Sequence, residues 1–171
     1  MVIAMLATLA LAGGVFYLLV KRYFENQQKQ QLLQMKLDER QETLKAVTPI
    51  RLQAYERMAL FLERISPNSL VLRCYQPGMD LRLLQGVMTK NIRDEWEHNL
   101  SQQVYLGAAL WARIREAKDE MINLVNSAAV QLTDTDDPTR LAASIFASVA
   151  DHMPTDEALE AMHKEINELF G

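Results

Sequence analysis

The sequence predicts an all-α protein with an N-terminal transmembrane helix, a polar helical stalk, and then a cytoplasmic helical bundle. Three observations predict it. Residues Val2 to Val20 carry no charged side chain. Residues 21–48 are polar, rich in good helix formers, and free of glycine and proline until Pro49. Beyond Pro49 the apolar residues recur at helical spacing in segment after segment, and nothing alternates with period two for long. The expected organisation is therefore an anchor at 1–20, a stalk at 21–48 and a bundle at 49–171.

The first apolar run is long enough to span a membrane. Its 19 residues rise through about 28 Å as a helix, against a hydrocarbon core of about 30 Å. A soluble core helix of that length carries a polar face; here the most polar side chains are Thr8 and Tyr17. Ala10-Leu11-Ala12 imitates a signal-peptide cleavage site. However, no basic segment precedes it, the apolar stretch ahead of it is too short, and the run continues through Val15 to Val20. An uncleaved anchor is the expectation. Lys21 and Arg22 follow at once, with Tyr17 and Tyr23 as interfacial aromatics. They predict an N-terminus outside and a C-terminal domain in the cytoplasm. Ala10 and Gly14 have the small-xxx-small spacing of close helix contacts, though both residue types are common in membrane helices.

The next segment, "KRYFENQQKQQLLQMKLDERQETLKAV", is a polar helix with one apolar seam. Leu33, Leu37, Leu44 and Val47 are spaced 4-7-3, interrupted by Arg40. Leu33, Leu37 and Leu44 are candidate partner-binding residues, facing another copy or another protein; the alternative is a solvated spacer. Thr48-Pro49 is expected to end or kink this helix.

The bundle follows in order. Leu52, Tyr55, Ala59 and Leu62 form a stripe widened by Met58, Phe61 and Ile65. Ser66-Pro67 reads as an N-cap followed by proline at the first helical position. "NSLVLRCY" is a short helix or an extended piece, and Gln76-Pro77-Gly78 a turn. Leu81, Leu84, Met88, Ile92 and Glu95 mark another helix, with a break near Asn99-Leu100-Ser101. The longest stripe runs Val104, Ala108, Trp111, Ile114, Met121, Val125, Ala128, Leu132. "TDTDDP" is a loop with Asp137 capping the next helix. The last helix starts at Pro154, with Leu159, Met162, Ile166 and Leu169 inward.

Composition narrows the chemistry. The single cysteine, Cys74, makes no internal disulfide and fits a reducing compartment. There is no zinc spacing, phosphate loop, GxSxG or HExxH. The net charge of −4 is concentrated C-terminally: residues 133–171 hold 2 Lys/Arg and 9 Asp/Glu. An acidic tail speaks against nucleic acid as a partner. No cofactor and no small-molecule substrate are implied.

One constellation points to a metal. Glu95 with His98, and Glu160 with His163, are two Glu-x-x-His pairs on two helices, as in ferritin-like di-iron bundles; Glu63 and Glu116 or Glu120 would complete such a set. Helical geometry opposes it, because Glu160 falls roughly 140° from the centre of its helix's apolar stripe. Glu95 does fall on its own stripe, where a carboxylate paired with an arginine is the simpler reading. Trp96 and Gln103, in the Glu95–Gln103 stretch, are further candidate partner-binding or fold-critical residues.

The stretches "LQAYERMALFLERISPNSLVLR", "QPGMDLRLLQGVMTKNIRDEWEHNLSQQVYLG" and "AKDEMINLVNSAA" resemble an uncharacterised family of small single-pass proteins of Bacteroidota, over roughly residues 50–130. The resemblance implies a bacterial inner-membrane protein and carries no activity or catalytic residue. The expected role is a non-enzymatic scaffold or adaptor. A stalk subunit of a membrane complex, a di-metal enzyme and a secreted helical protein are the rivals.

Overall fold

The computed structural model describes residues 1–133, 137–149 and 152–170, the side chains at 3–12 and 15 excepted. The protein is all-helical. The described residues form six α-helices and one 3₁₀ turn: α1 (Val2–Ile65), α2 (Pro67–Cys74), α3 (Leu81–Asn99), the turn Leu100–Val104, α4 (Ala108–Val130), α5 (Pro138–Ser148) and α6 (Pro154–Phe170). The chain divides into two compact units, Met1–Pro49 and Ile50–Gly171.

Among the described residues no helix is long and apolar enough to cross a membrane. The expected anchor depends on residues 3–12 and 15, which lie outside the described side chains.

The helix was expected to end or kink at Thr48-Pro49; it does not end there, since α1 carries Pro49 in its interior. Proline there removes one backbone donor and crowds the preceding turn, at a cost of about 3 kcal/mol. Strong helix formers stand on both sides, and the turns after Pro49 are fixed by packing: Ala54, Tyr55, Met58, Phe61, Leu62 and Ile65 are buried. Leu52, placed on that stripe by periodicity, is 45% exposed.

Within the second unit α4 is the central element, packing against α3, α5 and α6. Its buried face is Leu110, Ile114, Ala117, Met121, Val125, Ala128 and Ala129. Local chemistry sets the helix boundaries. Ser66 precedes Pro67, but its hydroxyl donates to the Glu63 carbonyl rather than capping α2. The Pro77-Gly78 turn closes with Met79 N–H donating to the Gln76 carbonyl, and Gly78 takes the positive φ, 88°, that this turn needs. Asp80 then caps α3, accepting from the Leu83 N–H at 2.7 Å. Asp137 caps α5 through the Thr139 N–H at 2.8 Å, and that bond holds its carboxyl below the usual range. Most of the loop before it, 134–136, lies outside the described residues. The break expected near Asn99 is the 3₁₀ turn, which turns Val104 outward to 73% exposure.

Candidate functional site

Leu81, Leu84, Met88 and Ile92 bury the inner face of α3, and Glu95 is the next residue along that face. Its side chain is 16% exposed. One oxygen, Oε1, accepts from two guanidinium groups, Arg64 of α1 and Arg73 of α2, each at 2.9 Å. Arg73 is held further by the Arg64 carbonyl at 3.2 Å and the Asn91 side chain at 2.9 Å. Asn99, buried at the end of α3, donates to the Glu95 carbonyl at 2.8 Å. One carboxylate thus ties three helices together. Charge-assisted bonds of this kind are about twice as strong as neutral ones, and removing the shared partner would leave half-buried cations uncompensated.

A third arginine stands beside this lock. Arg57, two turns before Arg64 on α1, meets the His98 ring nitrogen at 3.5 Å. Trp96 turns the other way. It stacks on Trp111 at 4.6 Å between centroids and 25° between planes, lies 5.7 Å from Phe61, and carries the Lys118 ammonium 5.1 Å above its ring. Gln103 is exposed on the 3₁₀ turn, beside the buried Gln102. Glu95, Trp96 and Gln103 therefore occupy three different settings: an ion-pair lock, an aromatic cluster and open surface.

The potential metal ligands are dispersed in the same way. Glu160 and His163 are exposed on α6, and Glu95 is committed to arginines. Glu116 and Glu120 pair with Arg113, which also binds Glu157. His152 completes that surface network at 2.7 Å from Glu157. Burial draws the Arg113 guanidinium down, but its three carboxylate partners outweigh that and hold it above its ordinary value. Among the described residues no three His, Cys, Asp or Glu side chains form a metal-binding group.

The seam leucines of the first unit are exposed: Leu33 59%, Leu37 51% and Leu44 55%. Nothing among the described residues packs over them.

A second polar cluster escaped the sequence reading. The Tyr55 hydroxyl donates to Glu165 at 2.6 Å and accepts from Arg51 at 3.2 Å. The same Glu165 oxygen accepts from the Gly107 N–H at 2.9 Å, and Arg51 also reaches the Tyr105 carbonyl at 3.0 Å. Burial, then the Glu165 hydrogen bond and charge, push the Tyr55 phenol up to about 12, against the opposing pull of Arg51. The available signal was the lone hydroxyl on an otherwise apolar stripe, since a buried tyrosine requires a partner.

No curated protein and no solved structure matches the chain. A family model described as "Family of unknown function (DUF7935)" matches residues 1–169, and the chain belongs to that family.

Proposed function

We propose that the protein is a membrane-anchored helical adaptor, which confines a protein partner to the bacterial inner membrane. In this reading residues 2–20 form the anchor, 21–48 form a spacer, and the bundle faces the cytoplasm. The charge-free run followed by Lys21-Arg22 supports the anchor and its orientation. The resemblance to small single-pass proteins of Bacteroidota supports the compartment. The observation that carries the adaptor role is the seam. Leu33, Leu37 and Leu44 lie on one side of a polar helix, each more than half exposed, and leucines at this spacing are the signature of a partnered helix. Tethering acts by raising a partner's local concentration, which strengthens a weak contact without any new bond.

The test is extraction of the tagged native protein in mild detergent, followed by size and composition of what co-purifies. A stoichiometric protein partner, lost from the Leu33→Ser, Leu37→Ser, Leu44→Ser variant, supports the adaptor. Release of the chain from membranes by alkaline carbonate overturns the anchor. A second reading, a stalk subunit of a larger membrane complex, gains support from α1, which continues as a helix through Pro49. Co-purification of an integral membrane assembly, rather than a single cytoplasmic protein, selects it.

A further inference from the structure

Two adjoining depressions lie between the C-terminal turns of α1 and α3, and they share Arg64, Glu95 and His98. Together they make one groove running along α3 from Asn91 to Asn99, a rise of about 12 Å, or two helical turns.

The α1 wall presents Arg57, Leu60 and Arg64. Their 3-4 spacing places a cation, an apolar residue and a second cation on one stripe. Leu60 is 56% exposed, and the Arg64 side chain is 53% exposed and paired with Glu95. Arg57 pairs with no carboxylate among the described residues; its side-chain contact is the His98 ring. Each guanidinium offers five N–H donors, and both line the groove with more donors than these contacts among the described residues use. Glu95, which lines both depressions, is shared with Arg73. At the other end, Asp94 is already paired with Lys90.

We propose that this groove docks an acidic amphipathic helix of a partner protein, with carboxylates at i and i+7 paired to Arg57 and Arg64 and an apolar residue between them on Leu60. The inference rests on the adaptor reading and supplies the chemistry of the partner. A helix fits because the two cations stand seven residues apart, about 10.5 Å along α1, the spacing of two side chains on one face of a partner helix. A lone phosphate or lipid headgroup engages the cations without using Leu60 or the length of the groove. Glu95 acts as a built-in competitor. When the partner carboxylate takes Arg64, Glu95 keeps Arg73, and Arg73 keeps Asn91 and the Arg64 carbonyl. The lock between α2 and α3 therefore survives docking.

The experiment uses the full chain in detergent micelles and a fluorescein-labelled helical peptide with Glu, Leu and Glu at i, i+3 and i+7, read by anisotropy at low salt. Its control peptide carries Gln in place of both Glu. The expected result is about tenfold tighter binding of the Glu peptide, and about tenfold weakening by Arg57→Gln with Arg64→Gln. Arg115→Gln, on α4 away from the groove, leaves binding unchanged, and Glu95→Gln tightens it. Arg57→Gln alone, at a side chain whose polar contact among the described residues is His98, keeps the test decisive where the double variant unfolds. Equal binding of both peptides, or binding indifferent to Arg57, overturns the proposal. So does displacement of the Glu peptide by millimolar orthophosphate or anionic vesicles when the Gln peptide binds equally well. The seam variant separates the two ideas: loss of the co-purifying partner there, with peptide binding intact, tests the adaptor and leaves the groove standing.

Discussion

The Glu165 carboxylate on α6 accepts a 2.6 Å hydrogen bond from the Tyr55 hydroxyl on α1, a contact between residues 110 positions apart. Tyr55 is 2% exposed, so its hydroxyl has given up water for this bond. Tyr55→Phe and Glu165→Gln should each destabilise the chain by about 1–3 kcal/mol in urea unfolding. The pair also sets an alkaline limit. The phenol's folded value of about 12 stands above its ordinary 10.0. The stabilisation is therefore complete below pH 10 and drains away as pH rises through 12. A denaturation midpoint that falls across that window in the native chain, but less in Tyr55→Phe, is the expected outcome. Parallel curves for the two proteins would refute it.

Gly107 is the position where Glu165 leaves no room. A Cβ there would run into Glu165 Oε2. The backbone itself does not demand glycine, since φ is −64° and ψ 145°. Gly107→Ala should therefore cost about 1–2 kcal/mol in the native chain. Combined with Glu165→Ala, which clears the space, the same change should be neutral or slightly stabilising. A double-mutant cycle by urea unfolding measures the coupling; simple additivity would show the clash to be absent.

Trp96 and Trp111 are the chain's only tryptophans, and they are stacked on one another. Near-UV circular dichroism should show a coupled band that disappears in Trp96→Phe and in Trp111→Phe alike. The stack itself should contribute about 1 kcal/mol. If either variant keeps the band, the rings are not in register.

The seam leucines make a prediction of opposite kind. Because each is more than half exposed, replacing Leu33, Leu37 and Leu44 with serine should leave bundle stability within about 0.5 kcal/mol. Analytical ultracentrifugation in detergent should nonetheless show a smaller assembly. A large drop in thermal midpoint with unchanged assembly would place these leucines in a structural role instead.

Periodicity made the core of this fold readable. Leu81, Leu84, Met88 and Ile92 were assigned to one face by spacing alone, and all four are buried. Cap chemistry was equally readable at Asp137, whose carboxylate precedes a proline and accepts from the next turn. Long-range pairing was not. Spacing placed Glu95 on the inner stripe, yet nothing local says that Arg64 and Arg73 arrive there from two other helices. Glu116 and Glu120 read as potential ligands, although Arg113 stands three and seven residues before them on the same helix, where spacing alone offers the pairing; only Glu157, from α6, is brought to Arg113 by the fold. At Val104 the helical period of α4 was extended back into the segment after the break near Asn99. The 3₁₀ turn shifts the phase, and a residue expected inward is 73% exposed.

Cys74 has a practical side. It is the chain's single cysteine, buried at the end of α2, with burial pushing its thiol up from its ordinary value. Thiolate, not thiol, is the reactive species, so the native protein presents almost no background to maleimides or nitroxide reagents. Cysteines introduced one at a time along α1 would therefore report individually, and a spectroscopist can map depth and proximity residue by residue without first building a cysteine-free parent.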